Sequence, residues 1–163
     1  MISLATTVEA TAVAYLTTAV GSSFQLNANA QALAAVPAIS IQSVTTGAAS
    51  PEIMEQSLVL SYPVFAVYCD RINNTLKEKF RTFSGSAQLT VDVRFSQNQI
   101  GGIQTTLENY VSATCEVFDG ARGDWGNGLF YRGGYEVNFV AVKKGGKGFL
   151  QLAKITLGID VSI

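Results

Sequence analysis

Few residues in this chain could support chemistry, and their spacing decides which chemistry that would be. The stretch VAVKKGGKGFLQL, residues 140–152, sets Lys143, Lys144 and Lys147 among Gly145, Gly146 and Gly148, between two apolar runs. Lysines interleaved with glycines can bring backbone N–H groups and ammonium groups onto one phosphate. A phosphate loop of that kind needs Gly-Lys followed by Ser or Thr, then a helix whose N-terminus faces the anion. Here Gly148 follows Lys147, and the residues beyond it alternate as a strand. The reading is therefore a β-hairpin tip with Gly145-Gly146 as its two-residue turn, where positive φ costs glycine little.

The carboxylates point no more strongly to catalysis. Asp92, Glu136 and Asp160 are the strand carboxylates on which an acid–base pair could draw, but each lies on the polar side of an alternating run, which predicts solvent exposure. Glu116, Asp119 and Asp124 match no calcium-loop spacing, so no metal is expected. Arg122-Gly123-Asp124 reads as a glycine-rich turn, not as an integrin-binding tripeptide. The chain has no histidine. That removes the commonest general base, metal ligand and activator of a Ser or Cys nucleophile. Cys69 and Cys115 lie in apolar runs and read as buried free thiols, too few for a disulfide framework or a four-thiolate zinc site. The expectation is a protein with no cofactor and no enzymatic activity. A small-molecule binding module or histidine-free enzyme built on Asp92, Glu136 and Asp160 remains the distant alternative, which a deep pocket holding two of them would revive.

Charge and hydropathy point to partners. Hydrophobic residues make up 48% and charged residues 14% of the 163 residues, with a net charge of −1. Soluble domains carry about 25% charged residues, so part of this surface is expected to be covered by other subunits. A nearly neutral chain is not a basic nucleic-acid coat. The main charge cluster is DRINNTLKEKFR, residues 70–81, with Arg71, Lys77, Lys79 and Arg81 beside Asp70 and Glu78. Its mixed signs fit a solvated connection or an inter-subunit contact. The first residues lack a basic secretion-signal start and include Glu9, and no uninterrupted apolar window reaches membrane-spanning length.

The elements that must position these residues follow from periodicity. Leu4, Val8, Ala12, Tyr15, Leu16 and Ala19 recur at helical spacing, which predicts a helix over 4–20 stopped at Gly21. Residues 21–57 are polar and almost uncharged, and read as a long loop insert with one short strand around Val36, Ile39, Ile41 and Val44. LVLSYPVFAVYC, 58–69, reads as a central strand, with Pro63 marking an edge or a bulge. AQLTVDVRFS reads as half-buried, with Leu89, Val91, Val93 and Phe95 inward and Gln88, Thr90, Asp92 and Arg94 outward. A second helix is predicted over 99–118, with Ile100, Ile103, Leu107, Tyr110, Val111, Thr114 and Phe118 on one face. After a glycine-rich loop, a final strand pair runs through Tyr135–Ala141 and Phe149–Val161. The sum is a single α+β domain, an antiparallel (mixed) sheet with two packed helices.

This order of elements, with YPVFAVYCDRIN, FSGSAQLTVDVRFS and the helix IGGIQTTLENYV, resembles the tail terminator proteins of long-tailed bacteriophages. The resemblance implies a virion protein of the tail–head junction, assembled in the host cytoplasm as a homohexameric ring. Such a ring caps the tail tube protein, meets the head-completion protein, and lets DNA pass without sequence-specific contacts. It carries no catalytic residues. A tail tube or head-completion (stopper or adaptor) subunit is the near alternative; tube proteins are dominated by strands with one helix. In a ring, Lys143, Lys144 and Lys147 would form a basic collar facing the DNA channel or an acidic neighbour. Residues 21–57 and 70–81 are the expected subunit contacts.

Overall fold

The computed structural model describes residues 3–47 and 62–163. Helix α1 spans Leu4–Leu16 and buries Leu4, Val8, Ala12 and Leu16, one residue per turn. The Ser3 hydroxyl caps its start by accepting from the Thr6 N–H. Its end falls short of the expected residue 20. The Thr17 and Thr18 hydroxyls donate to the Val13 and Ala14 carbonyls at 2.7 Å each, the back-bonding that loosens a last helical turn. The chain then forms a small hairpin, β1 (Ala19–Val20) with β2 (Ser23–Phe24), turning at Gly21 with φ 59°.

The described part of the predicted loop insert is more structured than expected. Helix α2 spans Gln25–Leu33 and buries only Leu26 and Ala30, a stripe too narrow to stand out in an Asn- and Gln-rich sequence. Its polar residues tie it in place: Asn27 Oδ1 accepts from Ile39 N–H at 2.9 Å, and Asn29 Nδ2 donates to Ala113 O at 3.3 Å. The strand expected near Val36–Val44 forms later, as β3 (Val44–Thr46). Residues 48–57 of that insert, and 58–61 of the following strand, lie outside the described residues.

The main sheet runs β3-β4-β5-β10-β7-β6. Strands β4 (Val64–Asn74), β5 (Ser84–Gln97) and β10 (Gly148–Ser162) form its antiparallel centre, and β3 joins β4 in parallel, which makes the sheet mixed. The strand expected at 58–69 thus starts just after Pro63 and continues into the charged segment, as far as Asn74. The bulge falls between Cys69 and Arg71 rather than at Pro63. Strand β7 (Leu129–Tyr131) pairs with the end of β10, and β6 (Gly123–Gly126) pairs with β7 beyond it. Strands β8 (Glu136–Phe139) and β9 (Lys143–Gly145) pair in succession along its start.

Helix α3 (Ile103–Gly120) crosses one face of this sheet together with α1. Under them lie Phe65 and Val67 from β4, Leu89, Val91, Val93 and Phe95 from β5, and Ala153, Ile155, Leu157 and Ile159 from β10, all buried. Tyr110 packs between Phe65 and Phe95 at centroid distances of 6.1 and 5.6 Å, while its hydroxyl donates to Pro37 O at 2.7 Å. Trp125 gathers Tyr15, Phe118 and Tyr131 and donates to Ala121 O at 2.7 Å. Ile100 is not on the helix face: α3 starts beyond Gly102, at φ 77°, and Ile100 is exposed.

Gly85 of β5 lies against the Asn73 carbonyl of β4, where any Cβ would collide with backbone. Gly85→Ala therefore forces the two strands apart. The expected loss is about 1–3 kcal/mol of stability, the usual cost of overpacking, read from the urea midpoint.

Candidate functional site

The residues singled out by sequence are divided between opposite ends of the sheet. Arg71 lies on β4 just past the bulge, and Lys77, Lys79 and Arg81 lie in the β4–β5 connection. Lys143, Lys144 and Lys147 lie around the β9–β10 turn, beside the other end of β5. From Ser84 to Gln97, β5 spans roughly 40 Å at a strand rise of about 3.3 Å per residue. One contiguous basic surface is therefore excluded, and each group has its own surroundings.

At the lysine end, the hairpin predicted by the KKGGKG stretch is present. Its turn falls one residue later than expected, at Gly146-Lys147, with Gly145 and Gly148 as the closing pair. Gly146 takes φ 55° and sits where a Cβ would stand 2.8 Å from Ser96 Cβ. Ser96, buried on β5, fastens the tip: its hydroxyl accepts from Lys147 N–H at 2.8 Å and donates to Phe149 O at 2.8 Å. All three lysine residues are exposed. The sequence offered no sign of this Ser96 clamp, because the partners are about fifty residues apart.

At the other end, residues 70–82 are exposed without a break and form an arm. The arm is ordered by hydrogen bonds and is not a slack loop. Asn74 Oδ1 accepts from Leu76 N–H at 3.2 Å and Ser84 N–H at 3.1 Å, and Glu78 N–H donates to Ser84 Oγ at 2.9 Å. The Ser162 hydroxyl donates to Glu78 Oε2 at 2.9 Å, and Thr82 N–H donates to Ile163 O at 2.8 Å. Arg81 pairs with Glu78 at 3.2 Å. Leu76 is held at φ 48°, a left-handed conformation costly for a leucine, and both Leu76 and Phe80 stand in solvent. Composition had marked this segment as charged; its exposed apolar side chains, Ile72, Leu76 and Phe80, are what the sequence reading missed. A cleft of about 140 Å³ beneath it is lined by Lys77, Glu78, Phe130, Arg132 and Asp160.

Between the two ends, the face of β5 away from the helices overturns the half-buried reading. Thr90, Asp92, Arg94 and Ser96 are all buried, not solvent-exposed. Asp92 accepts from the Tyr68 hydroxyl at 3.2 Å and pairs with Arg94 at 3.4 Å, while Lys154 stands opposite it on β10. Desolvation raises the Asp92 carboxyl above the usual range, an effect that the charges of Lys154 and Arg94 oppose. Burial, then the neighbouring Asp92 charge, pushes Tyr68 up to about 12. Glu136 is exposed, and Asp160 pairs with Arg132. Neither the cleft beneath the arm nor the one lined by Tyr15, Gln25 and Glu116 holds two of these three carboxylates, and among the described residues no group of three His, Cys, Asp or Glu side chains could hold a metal. Cys115 is buried, with its thiol pushed up to about 11 by burial, whereas Cys69 is only half-buried.

The fold is α+β, a mixed sheet with helices on one face, and its candidate sites are surfaces. No helix among the described residues is long and apolar enough to cross a membrane. No protein-family model matches the chain, and no curated protein matches it.

Burial favours the protonated form of Asp92, which asparagine resembles, so Asp92→Asn is expected to cost little at neutral pH, whereas Asp92→Leu, which also removes the acceptor of the Tyr68 hydroxyl, should cost about 1–3 kcal/mol, read from urea midpoints. The raised Asp92 pKa means that the folded chain binds this proton more tightly than the unfolded one. Its contribution to stability therefore falls as pH rises from the ordinary carboxylate range through the raised value. Urea midpoints measured across that range should lose this component in Asp92→Asn.

Proposed function

We propose that the protein is a structural virion subunit, a tail terminator whose copies close into a ring at the tail–head junction. The observation that carries this reading is the two-ended subunit, with a clamped lysine tip at one end of β5 and an ordered apolar-and-charged arm at the other. A junction ring needs two different ends of that kind, one for DNA and one for protein. Helices of 13 and 18 residues support this reading over a strand-dominated tube subunit. Asp92 is engaged by Arg94 and Asp160 by Arg132, which weighs against a binding module or histidine-free enzyme built on them.

In this proposal a ring, of six copies on the resemblance, seats on the tail tube protein and receives the head-completion protein on its other side. The lysine tips line the DNA path. Lys143, Lys144 and Lys147 repeated around a ring make a basic collar that attracts phosphate without reading bases. The Ser96 clamp keeps that collar fixed in place.

Purified protein imaged with and without tail tube protein should show closed rings and tubes of arrested length. A chain that stays monomeric in both conditions, or that polymerises without limit, would sink the proposal. Replacing Lys143, Lys144 and Lys147 together by Glu should leave rings intact and weaken DNA retention, increasingly so at low salt. Unchanged retention would remove DNA from the role of the tip.

A further inference from the structure

A concavity of about 420 Å³ opens where α1, α2 and α3 meet. The end of α1 lends it Tyr15 and Thr18, α2 lends Gln25 and Asn29, and the end of α3 lends Glu116 and Val117. Its polar side chains already donate inside the protein. The Thr18 hydroxyl donates to Ala14 O at 2.7 Å, Gln25 Nε2 to Asn29 Oδ1 at 2.7 Å, and Asn29 Nδ2 to Ala113 O at 3.3 Å. What they retain for a ligand is chiefly lone pairs, on Thr18 Oγ1, Gln25 Oε1, Asn29 Oδ1 and the Glu116 carboxylate. The backbone adds the same sign, because α1 and α3 both end here, each with the negative pole of its dipole. The first amide of α2, which would oppose them, is taken by Thr18 O at 2.8 Å. Among the described residues no cation answers these acceptors. The three helices carry no Lys or Arg, no ion pair includes Glu116, and Arg122 Nε donates to Asp119 O instead.

We infer that this concavity binds one small organic monocation, an alkylammonium ion whose N–H groups meet these acceptors while its stem lies against Tyr15 and Val117. The class of ligand follows from what lines the site. Glu116 is the one charged side chain of the lining, so the site matches a single positive charge and not a basic surface. An ammonium group has three donors and no acceptor, the converse of a lining rich in lone pairs, and its hydrogen bonds to a carboxylate are of the stronger, charge-assisted kind. The Tyr15 ring adds a further attraction, since the face of an aromatic ring draws a cation. That ring is braced by Trp125 at a centroid distance of 5.3 Å, and Trp125 is itself fixed by donating to Ala121 O at 2.7 Å. The volume is within the range of small-ligand sites. Nothing in this inference depends on the ring reading, and the two can fail separately.

Trp125, the only tryptophan of the chain, reports on the site through its indole N–H. Titration of isotope-labelled protein with n-butylammonium chloride should move that resonance saturably, with a dissociation constant in the millimolar range, and should raise the melting temperature. Two probes separate the contributions: n-butanol has the stem without the charge, and tetramethylammonium has the charge without an N–H to donate. Each should bind roughly tenfold more weakly than butylammonium, or not at all. Glu116→Gln and Thr18→Val change exposed positions and should leave the circular dichroism as it is. Glu116→Gln should weaken butylammonium binding roughly tenfold or more, and Thr18→Val by a smaller factor. Absence of a saturable shift overturns the inference, as does binding that Glu116→Gln leaves unchanged. Equal affinity for butanol would mean that only apolar space is filled, and equal affinity for tetramethylammonium that the acceptors play no part; either result overturns it as well.

Discussion

The structure depends on one antiparallel ladder, that between β5 and β10. These strands pair from Ser84 with Ser162 to Gln97 with Phe149, and nearly every other element is placed by touching one of them. The helices cover their Leu, Val and Ile side chains. Strand β4 extends the sheet from β5, and β7, β8 and β9 extend it from β10. Because side chains alternate along a strand, this ladder also fixes a second face, on which Asp92 stands opposite Lys154 and Arg94 opposite Leu152. A slip of one residue would push Asp92 and Arg94 into the aliphatic layer under the helices. The buried pair therefore penalises misregister more than it adds to stability, which is the better-attested use of such pairs.

Periodicity carried much of this fold. The apolar face of α1, the core face of α3 from Ile103 to Phe118, the alternation of β5 and β10, and the final hairpin were all readable, because each rests on contacts within its own element. What was not readable rests on partners distant in sequence. Helix α2 buries two residues and is held by Asn27 and Asn29, so its pattern is that of a loop until Ile39 and Ala113 are brought beside it. Thr90, Asp92, Arg94 and Ser96 alternate just as an exposed face would, and only tertiary packing buries them. The end of α1 was overrun because the Thr17 and Thr18 hydroxyls compete for carbonyls that spacing alone leaves to the helix.

The candidate surfaces were half legible for a similar reason. Both lysine-bearing segments stood out by composition. Their placement at opposite ends of β5 did not, since that follows from strand length and from the antiparallel direction of β10. Phe80 looked like an ordinary apolar residue in a charged stretch. Its meaning comes from the hydrogen bonds that hold the arm up: with Asn74, Glu78, Ser84 and Ser162 anchoring it, the arm cannot easily fold back to hide that ring.

The same economy of charge explains how a nearly neutral chain can be strongly polarised. A net charge of −1 conceals an all-acidic helical layer set against cationic strand ends and connections. Summed over the molecule these charges cancel. Sorted by surface, they give one copy an arm whose cations outnumber its carboxylates and, among the described residues, helices that carry carboxylates alone. A chain that repels itself everywhere would remain monomeric, and one with a single self-complementary patch would stop at a two-fold dimer. Two patches of opposite sign, each useless against itself, favour head-to-tail association, which either closes into a ring or grows as a filament. The ordered arm bears on that choice, because a contact with fixed geometry repeats the same rotation at each step, and closure requires such a rotation.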